Sequence, residues 1–450
     1  MKLTSMSICR VTLVLMAVWC VRPVYSQNFS GSSNPSTTIQ LNTITTAVPF
    51  LMISGNARQM GMGDLGVVSS DQFVEIAFTS NAALLATGRR YVHAETNYTP
   101  WLRVLAQDIN LLTNSVAWGI DETHAVGIYM KYFSLGDITF TNVDGNTIGN
   151  FNPREFMVQG NYAAQVGKGF SIGTSLKYVN SNLTGGINIG GTDTKPGQSV
   201  AGDLGLNYRG LKRLSETYVL GYSAGLGLNN LGSKMGYTNR NESDFLPMNM
   251  QLGVMLNLGV QLGKFRIEND LGYQITKLLV PTPPQYLKVA NSQVDSLDIN
   301  GSRIITAGKD PNVSVPAAIF QSFADAPGGS LEEWNEVMHH VGHELRMVIN
   351  ERFSWHLREG YFYEHETKGN RQFLSLGGGI GWMGFRLDLA YWVTLQERSP
   401  LEKTISVSLT YRARLGKIKK MRFPKIDPSD EKLELTEALF DGEKKEIDKK

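Results

Sequence analysis

Hydrophobic and polar residues alternate along much of this chain. In residues 384–393, Phe385, Leu387, Leu389, Tyr391 and Val393 occupy one face of an extended segment, and Arg386 and Asp388 occupy the other. Successive side chains of a strand point to opposite faces, so the segment has one apolar and one charged side. Residues 264–273 repeat the pattern, with Phe265, Ile267, Leu271 and Tyr273 against Arg266, Glu268 and Asp270. Residues 404–415 repeat it again, with Ile405, Val407, Leu409 and Tyr411 against Ser406, Ser408, Thr410 and Arg412. Many strands of about ten residues, apolar on one face and polar on the other, predict a transmembrane antiparallel β-barrel, an all-β fold.

The alternation predicts strands over 89–100, 109–120, 124–134, 154–167, 169–182, 199–209, 217–229, 248–259, 264–276, 339–349, 352–363, 371–381, 384–393 and 403–415. That is about fourteen, an even number as bacterial single-chain barrels require. Short links (121–123, about 168, 260–263, 350–351, 382–383) alternate with longer ones (135–153, 183–198, 230–247, 277–338, 364–370, 394–402). Periplasmic turns and extracellular loops alternate in this way, which places both chain ends in the periplasm of a multi-pass outer-membrane protein. On such a barrel Leu387→Arg should be costly on the lipid face, and Arg386→Gln, facing a solvated or paired interior, should matter less.

Residues before 89 do not alternate. Lys2, Arg10, an apolar run at 11–21 and Val24-Tyr25-Ser26 before Gln27 read as a secretory signal over 1–26. Residues 27–88 read as a leader and a small plug, with Ser80 a suitable N-cap for the short helix that follows it. The barrel is expected over 89–415. Residues 416–450 form a charged periplasmic tail.

Composition narrows the function. A net charge of +2 implies no nucleic-acid partner. Both cysteines, Cys9 and Cys20, lie within the signal, which leaves no disulfide, thiol nucleophile or cysteine metal site in the mature chain. His339, His340 and His343 suggest a metal cluster, but on a strand His339 and His343 stand about 13 Å apart and His340 faces away. They suit the barrel rim better, as Tyr361-Phe362-Tyr363 and Tyr391-Trp392 suit the aromatic girdles. Glu364, Glu366 and Asp203 have no nucleophile constellation around them. No cofactor, metal or catalytic residue is expected, and the protein is expected not to be an enzyme. Strand glycines (Gly160, Gly173, Gly205, Gly253, Gly272, Gly377, Gly378, Gly379) permit bends and close approach within a barrel.

The link 277–338 is too long for a simple connection. It carries Ile319, Phe320, Phe323 and Trp334, large apolar residues of the kind that anchor interfaces, and these are the candidate partner-binding residues. Ser330 could cap a short helix there.

Gly55-Asn56-Ala57-Arg58-Gln59-Met60-Gly61-Met62-Gly63-Asp64, followed by Thr79-Ser80-Asn81-Ala82-Ala83-Leu84, resembles the hatch of FadL-like outer-membrane barrels. Ala82 departs from that pattern, where proline is common. Together with Tyr98-Thr99-Pro100-Trp101-Leu102 and residues 360–371 (Gly360-Tyr361-Phe362-Tyr363 to Gly369-Asn370-Arg371), the stretch more closely resembles the PorV (LptO) family, over about 47–415. The resemblance implies a FadL-like barrel with an N-terminal hatch, acting in the type IX secretion system of the Bacteroidetes group. It implies as partners the outer-membrane translocon, the C-terminal domains of secreted cargo and the surface sortase/attachment complex, besides outer-membrane lipid. Two alternatives stay open: FadL-like transport of hydrophobic small molecules, against which the charged inward residues count, and participation in lipopolysaccharide deacylation.

Overall fold

The computed structural model describes residues 41–70, 74–86, 90–141, 144–186, 194–238, 243–289, 294–299, 301–350 and 352–415. The expected signal (1–26) and tail (416–450) lie outside the described residues, as does part of the expected leader.

The alternating segments form fourteen strands: β1 Tyr91–Pro100, β2 Ile109–Gly119, β3 His124–Leu135, β4 Arg154–Gly167, β5 Phe170–Asn182, β6 Gly197–Arg213, β7 Tyr218–Gly232, β8 Asn249–Leu262, β9 Phe265–Leu278, β10 Met338–Ile349, β11 Phe353–Tyr363, β12 Gln372–Trp382, β13 Phe385–Thr394 and β14 Ile405–Arg414. Each pairs antiparallel with its neighbours in sequence. β14 pairs back onto β1, Tyr91 opposite Arg414 and Tyr98 opposite Val407, which closes the barrel and leaves no free edge.

Short turns gather at one end and long links at the other. The two-residue link between β12 and β13 is Met383-Gly384, with φ of 49° and 92°. Positive φ at both central residues gives the reverse-twisted turn that fits a tight hairpin. β6 runs four residues further than the alternation predicts, to Arg213, so the turn to β7 shrinks to 214–217.

The outer face is apolar. Leu112, Val116, Ile128, Leu176, Leu204, Leu256, Leu387 and Leu409 are all exposed. Trp118, Trp355, Trp382 and Phe385 ring the short-turn side, and Tyr98, Tyr273 and Tyr391 the long-loop side. Trp392 and Phe362 do not join these girdles. Alternation sends them inward, where Phe373 stacks between them at 4.9 Å from Phe362 and 4.0 Å from Trp392. Among the described residues no helix is long and apolar enough to cross a membrane; the strands do so.

Residues 41–70 and 74–86 sit within the barrel. The described segment begins at the long-loop end, where Asn42 N donates to Thr367 O and Ala47 N to Phe245 O. It then passes through the lumen to Tyr91 at the short-turn end, where Tyr91 Oη donates to Leu85 O. This hatch contains a short helix α1, Ala57–Gly61, and 3-10 turns at Pro49–Met52, Val74–Phe78 and Ala82–Leu85. Asn56 caps α1 by accepting from Gln59 N. Asn81, not Ser80, caps the last turn by accepting from Ala83 N, whereas the Ser80 carbonyl accepts from Asn229 Nδ2.

Candidate functional site

The hatch is fastened by side chains spread over almost the whole sequence. Arg58 of α1 donates from Nη2 to Glu344 Oε2 of β10 at 2.8 Å. Arg358 Nε donates to the other oxygen of Glu344 at 2.9 Å, and Arg358 Nη1 reaches Asp388 at 2.7 Å. Asp388 accepts from Arg386 Nε at 2.5 Å, and Arg386 Nη2 pairs with Glu75, back on the hatch. The relay begins and ends on the hatch, crosses β10, β11 and β13, and balances three guanidinium groups with three carboxylates. All six residues lie out of solvent or nearly so. Of the solvated or paired interior expected for Arg386, the structure shows the paired one. Removing it would take the guanidinium from buried Glu75 and leave Asp388 with Arg358 alone, so Arg386→Gln is expected to cost more than a change in a solvated lumen would.

Backbone groups of the hatch find partners on the wall as well. Gln274 Oε1 accepts from Gly66 N and Val67 N, each at 2.9 Å. His340 Nδ1 meets Gly63 O at 3.0 Å, Ser375 Oγ accepts from Gly63 N at 2.8 Å, and Trp392 Nε1 donates to Met60 O at 3.0 Å. Lys131 Nζ spans the carbonyls of Phe50, Leu51 and Ile53. Buried backbone polar groups need such partners, so this segment is seated rather than loosely held.

Inward glycines make the seat. A Cβ at Gly360 would lie 2.1 Å from Gly63 N, and one at Gly173 would lie 2.3 Å from Ala83 N. No side chain fits at either place. Gly205, Gly253, Gly272 and Gly377 also face the hatch, whereas a Cβ at Gly160 would meet open space and Gly378 points outward. The close-approach reading thus holds for a subset of the strand glycines.

A cap covers the long-loop end. The link 279–337 carries α2, Val315–Gln321, and α3, Ser330–Asn335. Gly329, with φ of 70°, precedes α3 and no side chain caps it, so Ser330 is its first residue rather than its cap. Lys277 of β9 meets Glu333 at 3.0 Å and Glu336 at 2.6 Å, and Lys368 of the 364–371 link meets Glu332 at 2.6 Å and Glu336 at 3.0 Å. These two lysines, both buried, hold the cap to the rim.

The structure separates the candidate partner-binding residues. Ile319 turns inward and packs on the core with Val313 and Val315. Phe320 is 80% exposed, Phe323 is exposed three residues further on, and Trp334 of α3 is exposed with its ring 5.9 Å from His339. Of the histidine cluster, His339 and His343 face outward and His340 faces the hatch. Glu364 is committed to Arg371, and Asp203 to Lys177 at 2.8 Å.

Asp325 lies inside the cap. Its Oδ2 accepts from Thr282 N, and its Oδ1 has no hydrogen-bond partner. Burial, with Glu333 and Glu336 adding repulsion, pushes its carboxyl from 3.8 up to about 6. A raised carboxyl favours the closed cap below its ordinary value, and that contribution is lost as pH rises through about 6. Asp325→Asn should therefore slow opening of α2 about tenfold near pH 8 and leave it unchanged near pH 4. Hydrogen exchange of the α2 amides at both pH values checks this; equal rates near pH 8 would contradict it.

The outer wall also carries an ionisable pair. His343 of β10 and Glu359 of β11 stand opposite each other, His343 Nδ1 3.2 Å from Glu359 Oε1. Leu271 and Leu376 flank them on the adjacent strands. An ionisable pair on a lipid-facing wall is expensive and marks a functional contact by default.

The PorV model, described as type IX secretion system protein PorV, matches residues 36–285, more than half of the chain. The chain belongs to the PorV family. As a member of that family it is an outer-membrane component of type IX secretion. Among solved structures it is similar to the Pseudomonas putida toluene transporter TodX, at 12% identity over 82% of this chain and 100% of that one, with a TM-score of 0.42. It is also similar to a Pseudomonas aeruginosa FadL homologue, at 10% identity over 82% and 99%, with a TM-score of 0.36. The monoaromatic hydrocarbon channel CymD aligns at 12% identity over 81% and 98%, with a TM-score of 0.39. No curated protein matches the chain. At these identities the ligands of the three barrels say nothing about this PorV-family protein.

Proposed function

We propose that this PorV-family barrel is a non-enzymatic docking platform. It receives cargo from the type IX translocon, holds the cargo's C-terminal domain at its long-loop end, and hands it to the surface attachment complex. In this reading the long-loop end faces the cell exterior. The observation that carries the reading is the filled lumen: described hatch residues, among them Arg58, Met60 and Gly66, bond to the wall, and a lysine-tethered cap lies above them. A barrel filled in this way works from its surfaces. The charged, close-packed interior also disfavours transport of hydrophobic small molecules, which needs a continuous apolar path.

Two surfaces suit the role. The cap presents Phe320, Phe323 and Trp334, and large exposed aromatics are typical interface anchors. The His343–Glu359 pair offers a polar contact within the membrane for the wall of a second barrel, and we assign the translocon contact to it. Glu359→Leu tests that assignment. It removes a lipid-facing charge and should leave assembly and stability intact or improved, since charge on this face is destabilising. Affinity purification of the variant from native outer membranes should recover at least about tenfold less translocon, the effect of losing one good polar contact. Undiminished recovery would rule out this wall as the contact.

A further inference from the structure

The buried triad Glu75, His93 and Glu95 has the arrangement of a metal site. His93 and Glu95 are two apart on β1, so both point into the lumen. Glu75 comes from the hatch turn Val74–Phe78. One donor atom from each lies within 4.8 Å of the other two, and all three residues are more than nine-tenths buried. The ring of Phe78 lies over His93 and shields it.

The hydrogen bonding here is incomplete. His93 Nε2 lies 3.3 Å from Ser115 Oγ and 3.8 Å from Glu95 Oε2. His93 Nδ1 and Glu95 Oε1 have no hydrogen-bond partner. Buried polar atoms left unpaired are costly, and each calls for an explanation. Arg386 covers one oxygen of Glu75 but is also engaged by Asp388, so the charge of Glu95 remains to be met. A proton on Glu95 meets the carboxylate and leaves the imidazole nitrogen orphaned. A divalent cation among the three residues takes one electron pair from the imidazole and one from Glu95, and fixes which ring nitrogen carries the proton.

We propose that Glu75, His93 and Glu95 bind one divalent transition-metal ion of the zinc type and thereby staple the hatch to β1. Imidazole with two carboxylates is a nitrogen–oxygen donor set that suits Zn²⁺, and it disfavours Mg²⁺ and Ca²⁺, which prefer oxygen alone. Three protein ligands leave a fourth tetrahedral position for water.

The test uses the whole protein, purified folded in detergent, stripped with a chelator and titrated with ZnCl₂ alone. One zinc should bind per chain and raise the thermal unfolding midpoint. His93→Gln and Glu95→Gln should each abolish stoichiometric binding and the midpoint shift, while the barrels still show the heat-dependent gel mobility of a folded β-barrel. X-ray absorption of the zinc-loaded wild type should show a single imidazole among oxygen ligands. No stoichiometric zinc in the wild type, zinc retained in both variants, or a spectrum with two or more imidazoles would each overturn the site. If the variants do not fold, the wild-type stoichiometry and spectrum decide alone. None of these readouts depends on secretion, so the proposed docking role stands or falls separately.

Discussion

Glu344→Gln is expected to unseat the hatch. Glu344 is fully buried, and its two oxygens receive Arg58, Arg358 and His356. The amide keeps the volume and loses the charge, leaving Arg58 and Arg358 with one carboxylate fewer between them. Breaking a buried ion pair from one side costs about 3–5 kcal/mol, because the remaining charge stays buried. Arg58 is also the point at which α1 is held to β10, so the loss is felt at the hatch rather than the wall. The strand ladder from β10 to β12 does not depend on this side chain. The barrel should therefore still assemble, unfold at lower urea and conduct ions across a planar bilayer more often than the parent. A cost below about 1 kcal/mol with unchanged conductance would show that the relay does not secure the hatch.

The triple substitution Phe320→Ser, Phe323→Ser and Trp334→Ser is expected to abolish cargo capture while sparing the barrel. Central aromatic anchors of an interface contribute about 2 kcal/mol or more each, so losing three should weaken capture more than a hundredfold. Removing the whole link is a poorer experiment than its length suggests. Ile319, Val313 and Val315 pack on the core, and Lys277 and Lys368 are buried against Glu333 and Glu336. Deletion would open the mouth and strand two cations, confusing lost binding with lost structure. The point variants leave Ile319 and both lysines in place. Binding of a purified cargo C-terminal domain, measured beside the urea midpoint, separates the effects. Capture at parental affinity would move the contact to other links, such as 183–196 or 364–371.

The strands were legible because their signal is local. Membrane-facing and lumen-facing residues must alternate, so each of the fourteen strands declares itself within about ten residues. Even the misassigned Trp392 obeys the rule that exposed it: Tyr391 and Val393 face outward, so Trp392 must face inward. Its aromatic identity suggested the girdle, but its parity decided the outcome. The caps were less legible. Ser80 and Asn81 are both good N-caps by residue type, and only the backbone path shows which one meets the free N–H of Ala83.

The sequence by itself determined the barrel, the alternation of its short and long links and the family resemblance, since each rests on patterns within short stretches of the chain. Only the tertiary structure decided what the interior does. Arg58, Glu75, Glu344, Arg358, Asp388 and Arg386 are scattered across more than 300 positions, and apart from Arg386 and Asp388, two apart on one strand, none marks the others by spacing. The Glu75–His93–Glu95 triad was equally hidden, because a hatch turn and a strand of the wall supply it from different elements. The same holds for Ile319 and Phe320, neighbours in sequence that part company when α2 packs one inward and leaves the other exposed. Periodicity assigns a residue to a face. What that face meets depends on which distant segment folds against it, and in this protein that segment is a hatch pressed onto a wall of glycines.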